Sequence, residues 1–209
     1  MGFVDMPDWD KRYAEAELSG AMFGRAPNNY LMQTAGRQDF DAASALCLAD
    51  GDGRNGRWLG ARGLKVTAVD LSAVGTKIAT RLDSEAGVSV ERLVADLETW
   101  SPDPGQRWAA VLIHFLHGPQ ALRERVVRLA VEALSPGGWL VVEGFARAQA
   151  ARSDMGPDDP DKLYGLDALE RWATPLTPVE ALAGRVRLDE GPRHTGEAEI
   201  VRFAARRLS

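Results

Sequence analysis

The stretch ALCLADGDGRNGRWLGARGLKVTAVD occupies residues 45–70 and carries the main fold signal of the chain. Ala45–Ala49 is an apolar run of strand length, and glycines in a G-x-G-x-x-G pattern follow it at once. A helix-length segment, Arg54–Arg62, leads to a second apolar run, Val66–Val69, which ends at Asp70. The glycines could merely form a tight turn, but their flanking elements and Asp70 favour a nucleotide-type ligand at this turn.

Strand-length apolar runs continue to alternate with amphipathic stretches of helix length beyond this unit. The pattern predicts strands at Ser89–Val94, Ala109–Phe115 and Trp139–Phe145, and helices at Ser72–Ala86 and Pro119–Leu134. Continuously apolar strands are typical of a parallel sheet that is covered on both faces. We therefore expect an α/β fold with a mainly parallel sheet and helices on both faces.

The C-terminal end departs from this alternation. A predicted helix, Leu166–Ala173, precedes two predicted strands, Gly184–Leu188 and Ala198–Ala205. The link between these strands is too short for a helical crossover, so they are expected to pair as an antiparallel hairpin.

Composition and charge argue against several kinds of partner. The chain has 209 residues, 30 acids against 25 bases and a net charge of −5, which argues against nucleic acid. The single cysteine, Cys47, excludes an internal disulfide and a cysteine-rich metal site. No apolar run approaches the roughly 20 residues of a membrane span, and no signal segment is recognisable. We expect a soluble, cytoplasmic protein without metal, nucleic-acid or membrane partners.

The charge of the glycine loop indicates which ligand it holds. A dinucleotide would place its pyrophosphate at the helix N-terminus, beside the like charges of Asp50 and Asp52. S-adenosylmethionine (SAM) has no phosphate and carries two cations, a sulfonium and an ammonium, and its ribose hydroxyls suit a carboxylate acceptor. The acidic loop therefore favours SAM over NAD, although both aspartates also suit the positive end of the helix dipole.

Residues 45–70 resemble the cofactor-binding half of the class I SAM-dependent methyltransferases, and short matches cover nearly the whole chain. The resemblance is greatest to small bacterial members near the tellurite-resistance and thiopurine methyltransferase branch. The matching residues are Trp9-Asp10-x-Arg12-Tyr13, Phe23-Gly24, Pro27-Asn28, Asp70-Leu71-Ser72, Ala95-Asp96-Leu97 and Pro136-Gly137-Gly138. The resemblance implies a Rossmann-like, seven-stranded sheet that ends in the antiparallel hairpin.

The resemblance also implies how the chain is divided. It implies one methyltransferase domain over residues 1–209, with residues 1–40 as a helical cap over the cofactor and 41–209 as the Rossmann-like core. Within the cap, the sequence predicts a helix over Trp9–Leu18 with Asp8 as its N-cap, and a second helix that opens near Asn28.

The cofactor site follows from the same matches. Asp70 is expected to bind the ribose hydroxyls and Asp96 to face the adenine, whereas Arg12 and Tyr13 are expected to close over the carboxylate and sulfonium. The predicted cofactor residues are Arg12, Tyr13, Leu48, Ala49, Asp50, Gly51, Gly53, Asn55, Asp70, Leu71, Ser72, Asp96, Leu97 and Phe115.

Two positions depart from the family's pattern. The family's loop usually begins with an acid two residues before its first glycine, and the corresponding positions here are Cys47 and Ala49. That carboxylate commonly helps to hold the methionine ammonium. Our hypothesis is that Asp50 or Asp52 has taken over this contact.

Candidate catalytic residues follow the fourth and fifth strands, because ligands bind at the carboxyl ends of such strands. His117 and His114 could each take a proton from an acceptor hydroxyl or thiol as a neutral imidazole. Glu143 has either a substrate role or a salt bridge to Arg147 or another arginine. His194 lies between the last two strands, where a turn-stabilising role is expected.

The segment SDMGPDDPD at residues 153–161 is predicted to be an exposed loop, with Asp161 as a cap for the helix that follows. Its place after the fifth strand leaves two interpretations open. It is either a lid on the substrate pocket or a solvated acidic loop.

The sequence as a whole predicts a methyltransferase that uses SAM and releases S-adenosylhomocysteine (SAH). The expected acceptor is a small molecule such as a thiol or a metalloid oxyanion, and the methyl group is transferred in line. The alternatives are an NAD(P)-dependent oxidoreductase and a non-catalytic SAM-binding protein. A monomer and a homodimer are both compatible with the sequence.

Overall fold

The computed structural model describes residues 8–19, 21–152 and 155–208. The first seven residues of the predicted cap and Ser153 and Asp154 of the acidic loop therefore lie outside the described residues.

A seven-stranded sheet in the order β3-β2-β1-β4-β5-β7-β6 forms the centre of the molecule. Its strands are β1 (Ser44–Leu48), β2 (Lys65–Asp70), β3 (Glu91–Val94), β4 (Trp108–His114), β5 (Leu134–Phe145), β6 (Thr177–Asp189) and β7 (Thr195–Arg206). The first five strands pair in parallel, and β7 pairs antiparallel with both β5 and β6. The predicted fold class, including the terminal hairpin, is confirmed.

Helices cover both faces of this sheet. They are α1 (Trp9–Ser19), α2 (Asn29–Ala35), α3 (Arg54–Ala61), α4 (Ala73–Ala86), α5 (Gln120–Ala133) and α6 (Leu166–Trp172), with 3-10 turns at Arg147–Ala151 and Pro160–Lys162. The alternation of β1 shows the two faces, because successive strand side chains point to opposite sides. Ala45 and Cys47 pack with α2 and α3, whereas Leu46 and Leu48 pack with α5 and α6.

The helix starts are fixed by side chains that accept hydrogen bonds from otherwise unpaired amides. The Asn28 side chain caps α2 by accepting a hydrogen bond from Leu31 N at 2.9 Å. The Ser72 side chain caps α4 by accepting a hydrogen bond from Gly75 N at 2.9 Å. Asp8 accepts from Lys11 N at 3.0 Å, as predicted for α1. Asp10 anchors α1 to α4, because it accepts from Ser72 Oγ at 2.6 Å.

Two strands begin earlier than the apolar pattern predicts. β6 starts at Thr177 rather than Gly184, and its first seven residues are exposed although they include Val179 and Leu182. β5 starts at Leu134, and its register with β4 shifts between Trp108 and Ala110. Residues 136–138, expected to form a turn, lie in this irregular stretch, and Gly137 has a φ of +77°.

Among the described residues, each helix is too short or too polar to cross a lipid bilayer.

Candidate functional site

A cavity of about 900 Å³, open mouth included, lies at the carboxyl ends of the parallel strands. Ligands of open α/β sheets bind in a crevice at this edge of the sheet. Its walls are Trp9, Tyr13, Phe23, Ala49, Asp50, Gly51, Asp52, Arg54, Asn55, Asp70, Leu71, Asp96, Leu97, His114, Phe115, Leu116, His117, Leu122 and His194.

The glycine loop after β1 provides the floor of this cavity. Ala49, Gly51 and Gly53 all have left-handed φ values, of +59°, +57° and +82°. A Cβ atom at Gly51 would lie only 2.1 Å from the hydroxyl of Tyr13, so the loop and α1 require glycine there to approach this closely. Tyr13 therefore covers the loop from the N-terminal side.

Asp70 is fixed at the end of β2 by two backbone amides. It accepts from Gly51 N at 2.7 Å and from Ser72 N at 2.8 Å. Burial raises the pKa of Asp70 to about 6, and Asp50 and Asp52 add to the shift. At neutral pH its carboxylate is charged and lies at the cavity wall, where it can accept hydroxyl groups.

The two loop aspartates have different environments. The Asp50 carboxylate forms an ion pair with Arg92 at 3.0 Å and accepts from Gly56 N at 3.2 Å. Arg92 also pairs with Asp83 of α4 at 2.6 Å, so Asp50 belongs to a buried ionic cluster behind the loop. The Asp50 carboxylate is thus already paired with protein groups. Our hypothesis had assigned this carboxylate, or that of Asp52, to the methionine ammonium instead.

Asp52 has no hydrogen-bond partner for its carboxylate among residues 8–19, 21–152 and 155–208. The side chain is buried and lines the cavity. Burial raises its pKa, whereas Arg54 opposes that shift. Of the two loop acids, Asp52 therefore has the carboxylate that is open to a cationic ligand.

Cys47 packs in the core on the α2 and α3 side and does not line the cavity. Burial raises the pKa of its thiol well above the usual value, and Asp50 adds to the shift. The neutral thiol at this position cannot replace a carboxylate.

Four predicted cofactor residues lie outside the cavity lining. The exposed Arg12 stacks over Trp9 at 5.3 Å, and Leu48 is buried in the core. Gly53 packs against Arg92, and the Ser72 hydroxyl is used by Asp10 and by the cap of α4. The resemblance implied all four, but the Leu48 side chain packs in the core and the Ser72 hydroxyl is used in hydrogen bonds between and within helices.

Asp96 and Leu97 line the cavity beyond β3. Asp96 accepts from Glu98 N at 2.8 Å, which fixes the turn that follows the strand. Both predicted residues are therefore placed on the side of the cavity that holds Asp70.

Three histidines line the cavity, and the rings of two of them, His117 and His194, lie beside Phe115. Phe115, at a φ of +54°, has its ring centroid 4.0 Å from that of His194 and 6.2 Å from that of His117. Four imidazole nitrogens are buried without a hydrogen-bond partner among the described residues. They are Nε2 of His114, both ring nitrogens of His117 and Nδ1 of His194. The Lys162 backbone lies near His117 without meeting hydrogen-bond geometry.

These imidazoles are neutral at physiological pH. Burial, together with the charge of Arg54 for His114 and His194 and of Arg123 for His117, lowers the pKa of each to about 3. A base with so low a pKa takes a proton from a hydroxyl poorly. The three rings can position an acceptor by hydrogen bonds and contacts without adding charge.

Glu143, the third predicted catalytic residue, is fully buried and does not line the cavity. Its carboxylate pairs with Arg202 at 2.7 Å and accepts a short hydrogen bond from Asn28 Nδ2. Burial raises its pKa, and Arg202 opposes the shift. The structure thus realises the salt-bridge alternative, with Arg202 rather than Arg147.

The structure adds wall residues that the prediction of the site had not included. They are Trp9, Phe23, Arg54, Leu116, Leu122 and His194. The acidic-loop residues 155–161, in contrast, do not line the cavity. Asp159 caps the following 3-10 turn by accepting from Asp161 N at 2.9 Å.

Residues 45–138 match a family model that is described as a methyltransferase domain. No curated protein matches the chain.

Solved structures share the fold at low sequence identity. TehB from Haemophilus influenzae is 13% identical with a TM-score of 0.68, over 95% of this chain and 67% of that chain. The N-methyltransferase NodS from Bradyrhizobium japonicum, in complex with SAH, is 15% identical with a TM-score of 0.63, over 99% and 90%. The cyclase SpnF is 16% identical with a TM-score of 0.69, over 96% and 93%.

The matched segment is described as a methyltransferase domain and the SAH-bound NodS structure shares the fold, so SAM is the cofactor to compare with this cavity. The cavity fits this group on its own chemistry. It offers a hydroxyl-accepting carboxylate at Asp70 and a carboxylate at Asp52 for a cation, and Arg54 is the one arginine or lysine among its lining residues.

Proposed function

We propose that the protein transfers a methyl group from SAM to a small soft nucleophile, such as a thiol. One observation carries this proposal: a single cavity joins an acidic, amide-lined end to an end of neutral, buried histidines. The first end suits a cationic cofactor, and the second suits an acceptor that needs little help from a base.

The cofactor would be held by residues of the first end. Asp70 would accept the ribose hydroxyls, Asp52 would pair with the methionine ammonium, and Asp96 and Leu97 would lie against the adenine. Bound SAM supplies an electrophilic methyl group. The role of Asp52 would replace the acid that is missing at Cys47.

The second end would position the acceptor and exclude water. Phe115, Leu116 and Leu122 provide apolar walls, and alignment in a dry site can supply much of the rate of an in-line displacement. The unpartnered nitrogens of His114 and His117 would bind polar groups of the acceptor. Because both imidazoles are weak bases, a thiol or another easily ionised nucleophile is favoured over a hydroxyl.

The likeness to the tellurite-resistance and thiopurine branch adds metalloid oxyanions and aromatic thiols to the acceptors worth testing. The structural neighbour TehB supports only the shared fold. The same fold in the cyclase SpnF makes a direct assay of transfer necessary.

Binding is tested first, by thermal shift with SAM, SAH and NAD. We expect SAM and SAH to raise the melting temperature and NAD to leave it unchanged, with Asp52→Asn weakening both shifts. Glu124→Gln serves as the control, since Glu124 is only half-buried, pairs with Arg128 on α5 and does not line the cavity. Stabilisation by NAD alone would contradict the proposal.

Transfer is then tested by SAH formation with pairs of acceptors that differ only in a thiol or a hydroxyl, and with tellurite and selenite. We expect the thiol of at least one pair to be methylated faster than its hydroxyl partner. Tight SAM binding without any acceptor-dependent SAH formation would instead indicate a non-catalytic SAM-binding protein.

A further inference from the structure

Two segments that are distant in sequence touch backbone to backbone beside the cavity: residues 23–29, before and at the start of α2, and residues 190–194, the turn between β6 and β7. Gly24 and Gly191 form the contact, at φ values of +78° and +112°. A Cβ atom at Gly191 would lie 2.3 Å from Gly24 N, and one at Gly24 would lie 2.7 Å from Glu190 O. The approach therefore requires glycine on both sides.

The Glu190 carboxylate joins these segments to the cofactor loop. The carboxylate accepts hydrogen bonds from Asn29 N at 2.8 Å, from Asn28 Nδ2 at 3.1 Å and from Arg54 Nη2 at 2.9 Å. The Glu190 side chain is 1% exposed and that of Arg54 is 6% exposed. A buried carboxylate is tolerable only when it is saturated in this way.

Arg54 completes the same connection through its other nitrogen. Its Nη1 donates to Phe23 O at 3.1 Å, to Ala26 O at 3.3 Å and to Glu190 O at 3.4 Å. The ion pair therefore fixes the main chain of both segments as well as a side chain on each.

The two segments place rings in the cavity wall. His194 is held by its backbone, because Glu190 N donates to His194 O at 2.9 Å and His194 N donates to Gly191 O at 2.9 Å. The rings of His194 and Phe23 lie 4.8 Å apart, and both line the cavity.

We propose that Glu190 is a positioning residue that locks residues 23–29 and 190–194 into one clasp, which sets His194 and Phe23 at the acceptor end of the cavity. The role at the acceptor end rests on the proposed function, but the clasp itself does not. Because both segments share one carboxylate and one guanidinium, they should open and close together. SAH bound beneath them should slow the opening of both.

Hydrogen exchange of the unaltered protein, measured by mass spectrometry with and without SAH, tests this joint opening. We expect peptides covering 21–36 and 186–198 to exchange at matching rates and to be slowed by the same factor when SAH binds. Protection of one segment without the other would overturn the proposal. This measurement needs no variant that folds poorly.

Glu190→Gln tests the carboxylate itself, because it keeps the size of the side chain and leaves Arg54 without its charge partner. We expect exchange at both segments to rise at least ten-fold. The matched control is Glu197→Gln in the same hairpin, since Glu197 is exposed and makes only long ion pairs of 3.9 and 4.0 Å. Equal effects of the two variants would overturn the proposal.

Ring signals of the histidines give a readout that a general loss of stability would not reproduce. The chain has three histidines, so His114→Asn, His117→Asn and His194→Asn assign every imidazole signal in nitrogen-15 spectra. In Glu190→Gln the signals of His194 should shift much more than those of His117. An unchanged His194 would overturn the proposal, whereas failed methyl transfer with an intact clasp would overturn only the proposed function.

Discussion

In the proposed function, the two ends of the cavity would hold their ligands by different chemistry. At the cofactor end, the carboxylates of Asp70 and Asp52 line the cavity, and backbone amides hold Asp70 in place. At the acceptor end, around Phe115 and His117, the groups are rings that stay neutral. The first arrangement recognises a charged molecule, and the second leaves a charged reaction centre undisturbed.

This difference has a physical reason. A carboxylate near the transferring methyl group would stabilise the sulfonium before transfer more than after it, because the positive charge is lost in the reaction. Neutral imidazoles and phenyl rings avoid that penalty. Fixed charge therefore belongs where the cofactor is bound and not where it reacts.

The largest expected effect is on stability, from Asp50→Asn. The variant weakens the buried cluster behind the cofactor loop, and breaking a buried pair costs about 3 kcal/mol even though Asp83 still binds Arg92. Urea unfolding measures the change, with the exposed pair variant Asp167→Asn as a control. Unchanged stability together with weaker SAH binding would show that Asp50 serves the ligand after all.

The next effect is on affinity, from Asp70→Asn. Hydrogen bonds to a charged acceptor contribute about 1.5–3 kcal/mol, so SAH should bind roughly 10–100-fold more weakly. Calorimetry measures the dissociation constant. If SAH affinity falls less than three-fold, Asp70 does not bind the cofactor. The proposed difference between the two ends of the cavity would then be wrong.

Affinity should also depend on pH through Asp70. Its pKa is about 6, above the usual 3.8, so the carboxyl group becomes neutral as the pH falls below 6. The folded state binds this proton more readily than the unfolded chain does, so the stability contributed by protonated Asp70 is lost between pH 3.8 and 6 as the pH rises.

SAH binding has the opposite dependence because it requires the charged form. Between pH 7.5 and 5, affinity should fall by up to about ten-fold per pH unit below the pKa. Asp70→Asn should remove this dependence. If the variant and the unaltered protein show the same pH profile, the pH dependence of SAH affinity comes from another group.

A smaller effect is expected from Asp52→Asn. Losing one charge-assisted contact to the ammonium costs about 1 kcal/mol, or roughly five-fold in SAH affinity. An SAH analogue without the amino group should bind both proteins equally. If the variant weakens the analogue as well, Asp52 does not bind the ammonium.

The smallest effect is expected from His117→Asn. SAH affinity should stay within about two-fold, because the ring lies at the acceptor end and carries no charge. For an acceptor found in the transfer assay, the rate should change while its dependence on pH between 5 and 8 does not. A protonation step lost near pH 6.5 would show that His117 acts as a base of ordinary strength.

The cofactor end could be predicted from sequence because its residues follow consecutive strands. Asp70 ends β2 and Asp96 follows Ala95 in the turn after β3, and adjacent parallel strands end at the same edge. The engagement of Asp50 by Arg92 could not be predicted, since the partner lies 42 residues away on another strand. Only the packing of α4 and β3 brings the cluster together.

The acceptor end was predicted in part. His114 and His117 follow β4, but Phe23 and Arg54 are placed by long-range contacts without a local pattern. His194 did have a usable signal. An antiparallel hairpin whose last strand lies beside β5 returns its turn to the edge where the parallel strands end. A histidine in that turn belongs at the ligand site.

The position of β7 between β5 and β6 has a consequence for biosynthesis. During translation, the edge of β5 stays unpaired until β7 has left the ribosome, although β6 precedes it in the chain. Buried residues such as Ile200, Val201 and Phe203 must then be inserted into a sheet that is otherwise formed. The wall that carries His194 is therefore among the last parts to be assembled, and a nascent chain lacking β7 would expose a hydrophobic strand edge to chaperones.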